Sequence, residues 1–208
     1  MDAPIVREQD CRELRRAIGS RTVILASSSP RRRGILKSCG IAIRVVRPTV
    51  EEPTPSIKDS RAWVRRWALR KARSVSSPRH SGLIVAADTI VVLKGRAMGK
   101  PAGADDACTM LRQLSGRTHR VITGIAVIDA GRRKQVTGSV VSHVRFRTLT
   151  QTEIDAYLGT GEPWDKAGAY ALQGQGGRFV AEVQGPVDNV VGLPVRRLAL
   201  LVERVTNR

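Results

Sequence analysis

Apolar and polar positions alternate along this chain in runs short enough to outline most of its elements. Thr22–Ala26 is a brief apolar run suited to a buried strand, and Pro30 can open a helix running to about Ser38. Ile41–Val46 reads as a second strand, followed by a Pro-punctuated loop that holds Glu51 and Glu52. Helical spacing returns over Ala62–Val75, with Trp63, Trp67 and Leu69 as candidates for the buried side. Leu83–Ala87 and Ile90–Leu93 are strand-like runs separated by Asp88 and Thr89, and Asp105–Leu114 is a predicted helix. Val121–Asp129 and Gly138–Phe146 read as long strands joined around Gly131. Thr150 and Glu153 have capping-box spacing for a helix through Tyr157. Gly161–Gly177 is rich in Gly and polar residues, more like a binding loop than a core element. Val180–Val183 and Asn189–Val191 are short strand candidates, and Pro194 opens a terminal helix with Leu198 and Leu201 on its apolar side.

The pattern is mixed α/β, without internal repeat or linker. With 208 residues it fits one domain over 21–208, preceded by a polar, short helical extension over 1–20. Aromatics make up 3% of the chain, so the core must be mainly Val, Ile, Leu and Ala. No apolar run approaches the roughly 20 residues that cross a bilayer, so no membrane role is expected. Arg7, Arg12, Arg15 and Arg16 are interspersed with Asp2, Glu8, Asp10 and Glu13, a mixture unlike a transit peptide, which leaves the cytoplasm as the expectation. Cys11, Cys39 and Cys108 show neither a CxxC nor a Cys/His spacing; they read as small buried side chains in a reducing compartment, without disulfide or zinc.

Charge changes the picture. The formal net charge is +18, and residues 1–80 carry 19 Lys/Arg against 7 Asp/Glu, so the excess lies mostly in the first part of the chain. A phosphate-binding site, a nucleic-acid surface and a solvated Arg-rich face are the competing explanations. An active site accounts for only a few of these charges.

Three constellations carry candidate chemistry. In Ala26-Ser27-Ser28-Ser29-Pro30-Arg31-Arg32 a strand ends, hydroxyls follow, and a helix opens with arginines. Backbone N–H groups at a helix N-terminus are unsatisfied and favour an anion; Ser29 as an N-cap with exposed arginines explains the pattern equally well. In Val85-Ala86-Ala87-Asp88-Thr89 a carboxylate stands at the C-terminal end of an apolar run, where α/β enzymes place metal ligands or bases; a turn-forming Asp is the plainer alternative. Glu51 and Glu52 add carboxylates, and a hard cation such as Mg²⁺ is held by one or two carboxylates plus substrate phosphates. Lys71, Lys100 in Gly99-Lys100-Pro101, and Lys166 in Asp165-Lys166-Ala167-Gly168 are the cationic candidates, and Gln173 offers an amide that can read a base edge. His80, His119 and His143 have no metal spacing.

Taken in order, these blocks resemble the Maf (septum-formation) family. The resemblance is carried by Leu25 to Arg32, Ala87-Asp88-Thr89, Gly99-Lys100-Pro101, Leu114 to His119, Gly161-Glu162-Pro163, Asp165 to Tyr170 and Gly192-Leu193-Pro194, and spans about residues 22–205. It implies a Maf/ITPase-like fold, a mixed twisted sheet with flanking helices and a cleft between two lobes. It also implies hydrolysis of nucleoside triphosphates at the α-phosphorus with Mg²⁺ or Mn²⁺.

By that resemblance Asp88 matches the family's proton acceptor and Glu51 its accompanying acid, the two forming the expected metal site. Lys71 and Lys100 join the catalytic set, and Ser27, Ser29, Arg31, Arg32, Thr89, Lys166 and Gln173 the substrate set. Arg31, Thr89 and Gln173 look like the subgroup acting on dTTP and UTP, which would sanitise the nucleotide pool. Trp164, where Leu or Met is common, and Ala171-Leu172, where Gly-Ile is common, depart from the pattern beside the substrate loop. Family members are often dimers, so a homodimer is compatible with the resemblance. Two other functions compete: a pyrophosphatase for modified or methylated nucleotides, and a nucleic-acid-binding cell-division regulator that hydrolyses little.

Overall fold

The computed structural model describes residues 5–50, 59–77 and 81–207; Glu51, Glu52 and His80 lie outside the described residues. Its centre is a mixed seven-stranded sheet, with strands β1 (Val23–Ala26), β2 (Ile43–Val46), β3 (Leu83–Leu93), β4 (Arg96–Met98), β5 (Thr118–Asp129), β6 (Lys134–Phe146) and β7 (Val180–Gln184). The order is β2-β1-β3-β5-β6-β7, with β4 hairpinned onto β3. β1 pairs parallel with β2 and β3, and every other pairing is antiparallel. The helices are α1 (Glu8–Ile18), α2 (Pro30–Ser38), α3 (Ser60–Ser74), α4 (Ala104–Leu114), α5 (Gln151–Leu158), α6 (Val187–Val191) and α7 (Val195–Thr206).

The long strand β3 organises everything else. Side chains alternate across a strand, and β3 uses that alternation twice. In its first half Leu83, Val85 and Ala87 join the core beneath α1, α2 and α7, while Ile84 and Ala86 join the core beneath α3. In its second half Val91 and Leu93 enter a separate core with Leu111, Phe146, Tyr157 and Tyr170. Ile90 and Val92 pack with Val64 and Ile122 on the other face. Asp88 and Thr89 fall where the strand passes from one lobe to the other. The two runs expected to be separate are thus one strand, and Asp88 lies inside it rather than at its end. The reason is an unbroken antiparallel partner: β5 matches β3 from Leu83 opposite Asp129 to Val92 opposite Arg120.

Two further expectations are corrected. Asn189–Val191 is not a strand but part of α6, whose N-cap is Pro186. Cys11 and Cys39, expected to be unbonded, form a disulfide with Cα atoms 4.8 Å apart, and only Cys108 is a free thiol. The apolar stripe of α1 (Cys11, Leu14, Ile18) docks into the core shared with α2 and α7, bringing Cys11 against the C-cap of α2. Thr150 and Glu153 do form the capping box of α5.

Candidate active site

α3 is set by a close approach to the sheet. A Cβ on Gly124 of β5 would stand 2.3 Å from the backbone of Val64, so only glycine lets the helix sit this low. Val64, Ala68, Lys71, Ala72 and Val75 recur at helical spacing on the face turned to the sheet and are all buried. Lys71, two turns beyond Val64, is therefore carried into the interior, where its ammonium donates to Asp88 Oδ1 at 2.7 Å. Strand parity sends Asp88 to the α3 side and Thr89 to the opposite side. Both members of the ion pair are more than nine-tenths buried, and breaking such a pair by removing one partner is costly.

On the other face α2 delivers Arg32. Its guanidinium donates to Gly192 O at 2.9 Å, to Ser27 Oγ at 3.3 Å and to Thr89 Oγ1 at 3.0 Å. One side chain thus ties together the end of β1, the middle of β3 and the C-cap of α6. Thr123 Oγ1 spends its only proton on Asn189 O, so at 2.9 Å the Thr89 hydroxyl must donate to Thr123 while accepting from Arg32. Ser29 caps α2 by position only, its hydroxyl making no capping bond, and its N–H is taken by Ser27 Oγ at 3.2 Å.

The rest of the sequence-derived set comes from the second lobe and its loops. Residues 161–177 form three short 3₁₀ turns, Glu162–Asp165, Ala167–Ala169 and Gln175–Phe179. Gly168 fastens this loop: its N–H donates to Gly99 O at 3.0 Å, and a Cβ there would press within 3.1 Å of Val91. Lys166 donates to Glu162 O at 2.6 Å and pairs with Asp165, which also lies 3.5 Å from Arg31. Burial works to raise the Asp165 carboxyl, but Lys166 and Arg31 outweigh it and hold it below its ordinary value. Beneath the loop, Tyr170 and buried His119 are hydrogen-bonded at 2.9 Å, and burial pushes His119 down to about 4, leaving it neutral at pH 7. Burial raises the Tyr170 hydroxyl above its usual range.

These groups line one cleft of about 1100 Å³ between the lobes. Of the sequence-derived residues, Ser27, Ser29, Arg31, Arg32, Lys71, Asp88, Thr89, Lys100, Lys166 and Gln173 all lie on it; Glu51 falls outside the described residues. Sequence reasoning missed Thr123, Asn189 and Gly124, whose only signal is two small residues and one amide beside long apolar runs. It also left Glu162 without a role.

The residues fit a hard cation. Asp88 Oδ1 is engaged by Lys71, and Oδ2 has no hydrogen-bonding partner among the described residues. One carboxylate beside a cationic cleft is the donor set Mg²⁺ uses when substrate phosphates complete its shell. Among the described residues no three His, Cys, Asp or Glu cluster as an all-protein metal cage.

A profile of the Maf-like protein family matches residues 22–205. A dTTP/UTP pyrophosphatase of Pelotomaculum thermopropionicum is 44% identical over 88% of this chain and 95% of its own length. Enzymes of that name from Clostridioides difficile, 41% identical over 88% and 94%, and Anaeromyxobacter dehalogenans, 46% identical over 88% and 93%, are similarly related. With the ordered motifs, the two-lobed sheet and the buried Lys71–Asp88 pair in place, the chain belongs to the Maf-like protein family.

Proposed function

We propose that this protein hydrolyses dTTP and UTP to the monophosphate and pyrophosphate, acting with Mg²⁺ or Mn²⁺ in the cytoplasm, where nucleoside triphosphates are made and consumed. The observation that carries the proposal is the Lys71–Asp88 pair, 2.7 Å apart and buried at the junction of two lobes in a cationic cleft. The family relationship supplies the reaction class, and the names of the relatives supply the substrates.

Asp88, held in one orientation by Lys71, accepts a proton from the attacking water, a role that needs a fixed carboxylate within hydrogen-bond reach of the nucleophile. Arg31, Lys100 and Lys166 lie around the cleft to offset negative charge developing on the leaving pyrophosphate. Arg32, braced by Ser27, Thr89 and Gly192, holds the phosphate-side wall in register. Gln173 reads the base from the loop above. Asp88 and Glu51 would hold the metal, which when bound polarises phosphate oxygens and lowers the pKa of a bound water.

The decisive experiment measures pyrophosphate release from dTTP, UTP, CTP, GTP and 7-methyl-GTP, with and without Mg²⁺ or Mn²⁺. Metal-dependent turnover of dTTP and UTP above the others is expected. Preference for a methylated or other nucleotide keeps the enzyme and overturns the assignment of Gln173. One further observation favours a second reading: α3 exposes Arg61, Arg66, Arg70 and Arg73 with no acidic residue between Ser60 and Ser74. No turnover of any nucleotide, with salt-sensitive binding to nucleic acid, would put that reading first.

A further inference from the structure

The loop over residues 161–177 has no ladder to hold it, since its three 3₁₀ turns make few regular backbone bonds. Yet Gln173, the group assigned to the base, must be placed to well under an ångström to discriminate one base from another. Something other than secondary structure positions it.

Glu162 reaches both ends of this loop. Its Oε1 accepts from the Tyr157 hydroxyl at 2.9 Å and from the Gly176 N–H at 3.1 Å, and its Oε2 accepts from the Gln175 N–H at 2.9 Å. A carboxylate receiving two successive backbone N–H groups makes charge-assisted bonds, the stronger kind. Its own carbonyl accepts from the Lys166 ammonium at 2.6 Å. Tyr157 extends the clasp, because its oxygen also accepts the Ala171 N–H at 3.3 Å. Gln173 therefore sits between two tethered points, Ala171 and Gln175.

Two glycines of the loop are explained by the same clasp. A Cβ on Gly174 would collide with Glu162, and Gly174 has φ 132°, a conformation that side chains disfavour. A Cβ on Gly176 would stand 2.7 Å from the Tyr157 hydroxyl and 2.8 Å from Ala171 O. The backbone closes around Glu162 because nothing but hydrogen occupies those positions.

We propose that Glu162 is the positioning residue of the base-reading loop, setting Gln173 through Gln175 and Gly176; this rests on the assignment of Gln173 to base recognition. Glu162 is not among the residues lining the cleft that holds Asp88, so it governs affinity and base choice rather than the chemical step.

The test is Glu162→Gln in the full chain, which turns an amide NH₂ toward N–H groups that need an acceptor. KM for dTTP and UTP should rise about tenfold while kcat changes less than about threefold, and the preference over CTP and GTP should narrow. Amide exchange at Gln175 and Gly176 should quicken about tenfold or more, with β3 amides such as Ala86 unchanged. Tyr157→Phe removes one of the three donors and should move KM and exchange in the same direction by less; it carries the test if Glu162→Gln does not fold. Unchanged KM and preference, or a fall in kcat at constant KM, overturns the proposal. If the wild-type protein turns over neither dTTP nor UTP, the substrate assignment fails by itself. The exchange readout then decides the clasp: unaltered protection at Gln175 and Gly176 overturns it.

Discussion

The two walls of the cleft are built by different means. Around Asp88 one wall stands on regular elements: Asp88 and Thr89 on β3, Lys71 on α3, Arg32 on α2. Their positions follow from strand register, helical spacing and the close approach at Gly124. Opposite them, Lys166 and Gln173 stand on a loop of 3₁₀ turns whose geometry comes from side-chain and glycine contacts. The comparison separates two demands on an enzyme of this kind. Proton transfer asks for a frame that does not vary, and a sheet can provide one. Discrimination between substrates asks for a surface that substitutions can reshape without disturbing that frame, and a clasped loop can provide one.

The strongest way to break this contrast is to attack the rigid wall. Asp88→Asn should lower kcat by roughly 10³-fold while leaving the circular dichroism native, because it removes the base and keeps the shape. The thermal midpoint should also fall, since the Lys71 ammonium loses its buried counter-charge. Turnover near wild type would mean that the proton goes elsewhere.

A smaller effect is expected from the loop. Gln173→Ala should cut kcat/KM for dTTP and UTP about five- to tenfold, the value of one or two neutral hydrogen bonds, and leave CTP and GTP nearly unchanged. Equal losses across all four nucleotides would show that Gln173 does not discriminate bases.

The smallest effect is on stability and concerns the floor beneath the loop. His119 is neutral in the folded protein, with its pKa down at about 4 because burial disfavours the charged ring. A depressed folded value means its contribution is fully present above the unfolded value of about 6.5 and is lost as pH falls toward 4. The loss is on the order of 3 kcal/mol. Urea midpoints should therefore decline between pH 6.5 and 4.5 in the wild type and less steeply in His119→Gln. Glu153, drawn down to about 2 by Arg147 and Thr150, loses its contribution only as pH falls from about 4.5, below most of the His119 window. Parallel slopes in the two proteins would remove His119 from the account.

Much of the rigid wall was legible in the sequence because periodicity records it. The apolar run before Asp88, the Ser-Pro-Arg-Arg opening of α2 and the helical spacing of Ala62–Val75 all placed residues that the structure brings to the cleft. Strand continuity through Asp88 was not legible, because a polar pair inside an apolar run looks like a turn until its partner strand is known. The helix at Val187–Val191 was missed because a five-residue element with β-branched residues carries no usable period. The Cys11–Cys39 bond was hidden for a related reason, since 28 residues of separation say nothing about how α1 docks. Glu162 and Tyr157 were the least visible: their partners are backbone N–H groups, which every residue but proline possesses.

The continuity of β3 also bears on how the molecule can move. A cleft between two lobes invites the picture of jaws swinging about a flexible joint. Here the joint is a ten-residue antiparallel ladder running without interruption past Asp88. Swinging the lobes at that joint would strain the ladder beside Asp88 and its ion pair with Lys71. The two lobes are thus joined by a shared piece of sheet rather than by a loop.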